Sequence, residues 1–254
     1  MEPAEYKKLA AFESWYWWYI AQRENLIETI LDLPLPGRPR VLDIGCGTGR
    51  NLFELGRRLP VRACGMDIVR PTATCWNTEG RTGRMSPPAR FCLASANDIP
   101  FADNAFDLAF AVDVLDCDGV DTPGAFCEIR RVLAPGGFLV AFVPAYQWLR
   151  SRHDRAVHSA RRFSALCIRS IATDAGLPVL RVTYRFASFL PAIAAVRLAQ
   201  RAVPRRSMPP RSDLTPLPGW LNRVLLHTAR WERRLFGRRF LPFGSTVMLV
   251  ARKP

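Results

Sequence analysis

Apolar residues along the chain gather in short runs that alternate with longer amphipathic stretches. The runs at 40–44, 61–68, 91–94, 106–115 and 138–143 have the length and the Val, Ile, Leu and Phe content of buried strands. Helical spacing predicts helices over 5–33, 51–59, 122–133 and 164–175. Pro34, Pro36, Gly37 and Pro39 break the chain after the first helix, and Pro135-Gly136-Gly137 and then Gly176 with Pro178 stop the later ones. Strands at 179–185 and 246–252 follow. Segment 70–88 is polar and rich in Thr, Gly and Pro, and supports a weak helix at most. Strands that alternate with helices imply a doubly wound, mostly parallel α/β sheet with both faces covered. The stretch 186–245 is basic, Pro-punctuated and apolar in patches, and reads as an insert before the last strand rather than a separate domain.

With 254 residues, one large domain is expected from a prior of ~150 residues per domain. Apolar residues make up 49% and charged residues 23%, as in an ordinary globular chain. The net charge of +14 is unevenly placed. Residues 1–149 carry 15 basic and 18 acidic side chains, whereas 150–254 carry 21 basic and 4 acidic. The basic excess therefore belongs to the C-terminal two-fifths. The acidic start lacks the apolar core of a secretion signal, and no stretch approaches ~18 uninterrupted apolar residues, so a cytoplasmic protein is expected. The seven cysteines include no CxxC pair, which favours reduced thiols over a disulfide or metal framework.

The first strand candidate runs into Gly45-Cys46-Gly47-Thr48-Gly49 and then a helix. Such a turn lets a ligand approach the backbone closely and presents free N–H groups. The dinucleotide fingerprint would need glycine at 50, where Arg50 stands, and no Gly-Lys-Ser/Thr follows for a P-loop. Asp43 at the strand's end would repel a pyrophosphate and welcome an ammonium group.

The run Val41-Leu42-Asp43-Ile44-Gly45-Cys46-Gly47-Thr48-Gly49-Arg50-Asn51 resembles the first motif of class I S-adenosylmethionine-dependent methyltransferases. Asp67 matches the acid that takes the ribose hydroxyls after the second strand. Ser95-Ala96-Asn97-Asp98-Ile99-Pro100-Phe101 resembles the element beside the adenine, with Ser95 in place of the usual aspartate, so that a backbone N–H or Asp98 would serve instead. Asp113-Val114-Leu115-Asp116 resembles the fourth-strand motif, whose usual histidine is Cys117 here. Arg131-Val132-Leu133-Ala134-Pro135-Gly136-Gly137 resembles the turn before the fifth strand, and Trp17-Trp18-Tyr19 with Arg23 resembles the aromatic opening of a bacterial subgroup. The resemblance implies a seven-stranded sheet whose last strand is antiparallel. It also implies a helical cover (1–37), a cofactor-binding half (38–145), an acceptor-facing basic elaboration (146–245) and a final strand (246–254). Asp43, Gly45, Cys46, Gly47, Gly49 and Asn51 would hold the methionine end, and Asp67 and Ile68 the ribose. Ser95 and Ala96 would lie near adenine, with Asp113 and Val114 as further cofactor neighbours and Trp18 and Arg23 closing the site. No metal is expected.

The implied reaction is S-adenosylmethionine-dependent methyl transfer to a small-molecule or lipid-like acceptor by in-line displacement, which needs alignment and exclusion of water. His153 and His158, after the fifth strand, are candidates for a base or orienting group. Cys117 reads as a small apolar filler rather than a nucleophile. Three alternatives stay open: an RNA methyltransferase using the basic region, a non-catalytic cofactor-binding relative, and an enzyme using the same cofactor for a non-methyl reaction. The arginines of the insert fit a solvated face, a peripheral contact with anionic membrane at the inner face, or, ranking last, an RNA grip, since no RNA-recognition motif accompanies them. The sequence leaves the oligomeric state open.

Overall fold

In the computed structural model, residues 3–69, 90–202 and 214–254 are described. The weak helix expected over 70–88 lies outside them, as do Cys75 and the arginines at 205, 206 and 211. The elements run α1 (Pro3–Phe12), α2 (Trp17–Leu31), β1 (Arg40–Ile44), α3 (Arg50–Gly56), β2 (Arg62–Asp67), β3 (Arg90–Leu93) and β4 (Phe106–Val112). They continue with α4 (Thr122–Val132), β5 (Leu133–Pro144), α5 (Arg152–Ala156), α6 (Ala165–Asp174), β6 (Val179–Arg185), α7 (Leu190–Ala202), α8 (Gly219–Phe236) and β7 (Thr246–Arg252). The seven strands form one sheet in the order β3-β2-β1-β4-β5-β7-β6. All neighbours pair in parallel except β7, which is antiparallel to both β5 and β6.

Side chains alternate across the sheet with period two, so each strand feeds two cores. Leu108 and Phe110 of β4 and Val140 and Phe142 of β5 pack with α2 and α3 through Leu26, Ile30, Leu52 and Leu55. Ala109, Ala111, Leu139 and Ala141 face the opposite layer, where Phe126, Ile129 and Ile168 come from α4 and α6. Both faces are covered, which is why the strands read as unbroken apolar runs. Strand order reverses between β1 and β4, and ligands in such sheets bind outside the carboxyl ends of the strands at that point.

Three elements differ from the sequence expectation. The single helix expected over 5–33 is two helices. Tyr16 is extended (φ −75°, ψ 130°), and Asn222 of α8 clamps the break by accepting from Trp17 N (2.9 Å) and donating to Trp15 O (2.9 Å). Strand β4 stops at Val112 because Asp113 adopts φ +52°. Strand β5 starts early, at Leu133: Pro135-Gly136-Gly137 does not end the pairing, because Gly136 N donates to Lys253 O and Lys253 N to Gly137 O. The insert contributes α7 and α8, which join Trp17 and Trp18 in a small third core around Phe186, Phe189 and Ala229.

Candidate functional site

The turn after β1 is built by glycines in the left-handed region: Gly45 at φ +73°, Gly47 at +53° and Gly49 at +82°. A Cβ on Gly45 would stand 2.7 Å from Cγ2 of Val114, and one on Gly47 would stand 3.3 Å from the Leu9 side chain. Gly45 has no room for a larger residue and Gly47 is held by its positive φ, so backbone is presented directly. Gly45 N and Cys46 N both donate to Met66 O (2.8 and 2.9 Å), which ties the turn to β2. Asp67, at the end of β2, accepts from Gly47 N (2.9 Å) and Val69 N (3.1 Å).

Above this turn lies a cavity of about 600 Å³, within the usual range for small-molecule sites. Of the residues singled out from the sequence, Trp18, Arg23, Gly45, Cys46, Gly47, Asn51, Asp67, Ile68, Ser95, Ala96, Asp113, Val114, His153 and His158 all line it. Gly49 caps α3 behind the wall. The pleat turns Asp43 to the face of Val41, where it is buried beneath the turn and is not among the residues that line the cavity. One of its carboxylate oxygens has no hydrogen-bond partner, and burial, reinforced by the nearby Asp67, pushes the carboxyl well above its ordinary range. Asp98 is likewise not among the lining residues, whereas Ser95 and Ala96 are.

The N-terminal helices form the roof. The Tyr6 hydroxyl donates to Asp67, and burial followed by that carboxylate pushes the phenol up. Thr48 Oγ1 donates to Glu13 Oε2 (2.6 Å), and Arg23 Nη2 donates to Glu13 O (2.7 Å). Arg23 is therefore engaged by the cover itself. Trp17 packs on Phe189 with ring centroids 4.7 Å apart, and Trp18 on Phe186 at 4.5 Å. Tyr6 and Glu13 fall inside the expected cover, yet their contacts depend on how α1 crosses the glycine turn, which no local pattern encodes.

The far wall is acidic at its base. Asp113 lines the cavity, and its Oδ2 accepts from Gln22 Nε2 (2.7 Å). Asp154 accepts from Arg162 Nε (2.7 Å) and, despite burial, is held below its ordinary range by that guanidinium. Asp116 is 2% exposed, lines the cavity, and has one carboxylate oxygen without a hydrogen-bond partner. Burial, helped by the charge of Asp113, pushes it up to about 7 against the opposing hydrogen bond of Ser159. A carboxyl poised near neutrality can accept a proton. The sequence showed Asp116 inside the fourth-strand motif but gave no sign of this environment. The two histidines sit on the same wall, His153 in α5 and His158 at φ +59°. Cys117 also lines the cavity, and burial pushes its thiol up to about 12, which leaves it protonated and poorly nucleophilic. The described cysteines are all free, and the described residues contain no His/Cys/Asp/Glu group able to hold a metal.

Residues 42–141 match the family described as "Methyltransferase domain". The chain is 30% identical over 161 residues to cycloartenol-C-24-methyltransferase 1 of Oryza sativa subsp. japonica, covering 61% of this chain and 44% of that protein. It is 29% identical over 140 residues to O-methyltransferase rstn1 of Aspergillus nomiae, covering 52% and 62%. The chain thus spans less than two thirds of the length of these curated relatives. Its fold is similar to geranyl diphosphate C-methyltransferase of Streptomyces coelicolor A3(2), solved with Mg2+, geranyl diphosphate and S-adenosyl-L-homocysteine, with a TM-score of 0.59 and 19% identity over 91% of this chain and 80% of that one.

Proposed function

We propose, from the match of residues 42–141 to the methyltransferase-domain family and from the similarity to curated methyltransferases, that the protein transfers the methyl group of S-adenosylmethionine to a small-molecule or lipid-like acceptor. The observation that carries this reading is the glycine cradle. It is a turn whose Cβ positions are already filled by Val114 and Leu9, flanked by a carboxylate at Asp67 and backed by an acidic cavity base. Cationic nucleoside chemistry fits that cradle, and a pyrophosphate does not.

When bound, the sulfonium supplies an activated methyl carbon whose departure leaves a neutral thioether. The residues of the chain then have three tasks. Gly45 and Gly47 admit the amino-acid end against bare backbone, and Asp67 accepts the ribose hydroxyls in place of Tyr6. Trp17, Trp18 and their Phe186 and Phe189 partners exclude water from the methyl path. Asp116 takes the proton from an oxygen or nitrogen acceptor, with His153 and His158 beside it as orienting imidazoles. The apolar part of the wall, from Trp17, Trp18 and Ile193, supports a lipid-like acceptor, as do the sterol and geranyl diphosphate enzymes among the relatives.

The test is calorimetric titration with S-adenosylmethionine and S-adenosylhomocysteine, followed by a mass-spectrometric screen of prenyl, sterol and phenolic acceptors for a gain of one methylene. Failure to bind either nucleoside overturns the reading. Binding without transfer to any acceptor in a native extract leaves a cofactor-binding relative and overturns the enzymatic part.

A further inference from the structure

Helix α8 carries large apolar side chains on its solvent face as well as on its packed one. An ordinary surface helix buries its apolar stripe and shows polar residues to solvent. Here the buried positions are Asn222, Ala229 and Glu232. They are anchored by hydrogen bonds: Asn222 to the backbone of Trp15 and Trp17, and Glu232 to the backbone N–H groups of Ala187 and Ser188. Arg230 and Arg233 pair with Glu24 of α2. The outward arc carries the large apolar side chains: Trp220 and Trp231 are each 63% exposed, Val224 52% and Leu235 43%. At about 100° per residue these four follow one edge of the exposed arc, and Arg223, His227 and Arg234 follow the other. Helix α7 adds exposed Val196 and Leu198, and the loop after α8 adds exposed Phe240 and Phe243.

A solvated face does not need two tryptophans, a valine and a leucine in line. An RNA-binding face would use the arginines and could stack bases on the rings, but would gain nothing from Val224 and Leu235. No described helix is long and apolar enough to cross a membrane. Indole rings and aliphatic side chains alongside arginines, on a helix of high amphipathicity, match the chemistry of an anionic bilayer surface: the apolar edge enters the headgroup boundary and the guanidinium groups meet lipid phosphates.

We propose that the outward arc of α8 docks the protein on an anionic membrane surface. Helices α7 and α8 both adjoin the cavity. Ile193 and Arg197 of α7 line it, and α8 packs through Leu225, Leu226 and Ala229 on the Trp17, Trp18 and Phe189 cluster that roofs it. Docking on this side therefore brings the cavity to the lipid boundary. The proposal stands on the helix and not on the methyl-transfer reading.

The experiment is sedimentation of the full chain with vesicles of phosphatidylcholine alone and of phosphatidylcholine with phosphatidylglycerol, with tryptophan emission recorded in parallel. The expected result is binding to the anionic vesicles with a blue shift, weakened by salt, and little binding to the neutral ones. Trp220→Ser with Trp231→Ser is expected to abolish the shift and most of the binding without changing cofactor affinity, since neither residue lines the cavity. Arg223→Gln with Arg234→Gln should lower partitioning roughly 30-fold, at about a factor of five per charge. Four outcomes overturn the proposal. These are no binding to either vesicle, equal binding to both, a concentration-dependent dimer lost in the tryptophan pair, and RNA capture without vesicle binding. Unchanged circular dichroism and cofactor titration of each variant separate loss of docking from loss of fold.

Discussion

Replacing Asp116 by Asn tests the acidic base of the cavity. The carboxyl is raised from its ordinary 3.8 to about 7, first by burial and then by the charge of Asp113. A rise of that size corresponds to about 4 kcal/mol of free energy stored against the charged form. The sign follows from linkage: an acid whose folded value is raised leaves the native state most stable below pH ~4, and that stability is lost as pH rises through ~7. Asp116→Asn removes the titration and keeps an acceptor for Ser159. The variant should therefore match the wild type at pH ~4 and exceed it by up to ~4 kcal/mol at pH ~8. Chemical denaturation at stepped pH measures both curves. Turnover should fall at the same time, and the rise of rate through pH ~7 should flatten if Asp116 accepts the acceptor's proton. Parallel stability curves for the two proteins would refute the assigned burial of charge. An unchanged pH–rate profile would refute the assigned proton transfer.

Three further outcomes follow from the same geometry. Gly45→Ala places a methyl 2.7 Å from Val114 at φ +73° and should cost ~1–3 kcal/mol of stability and most of the nucleoside affinity; calorimetry that finds the affinity unchanged would count against the cradle. Tyr6→Phe frees Asp67 from the phenol hydroxyl and should tighten S-adenosylmethionine binding by about 3- to 10-fold; weaker binding would show that Tyr6 assists the ribose instead of yielding to it. Asn222→Ala strips the clamp from the break between α1 and α2 and should cost ~1–3 kcal/mol, read as a melting midpoint lower by a few degrees.

The sheet was legible because both of its faces are covered: Leu108, Ala109, Phe110 and Ala111 are all buried and read as one apolar run. The glycine turn was legible because positive φ and close approach restrict residue choice. What failed to show was whatever depends on side chains brought from afar. The helix break at Tyr16 is fixed by Asn222, and the near-neutral carboxyl of Asp116 by its burial and the charge of Asp113. The place of Asp43 in the motif is plain from the sequence, while its direction is decided by the pleat. For α8 the sequence offered an anionic-membrane contact as one of three readings of its arginines; which side chains form its outward arc is set by the burial of Asn222, Ala229 and Glu232.

The clamp at Asn222 also bears on the order in which the molecule comes together on the ribosome. Its partners Trp15 and Trp17 precede it by 207 and 205 residues, a gap that translation crosses in roughly 10–40 s. Strands β1 to β5 can pair during that interval, but the aromatic roof cannot close until nearly the whole chain has emerged. The nascent protein therefore passes through a period with its ligand chamber unroofed, when a bound nucleoside or a chaperone would have its greatest influence on the yield of folded molecules.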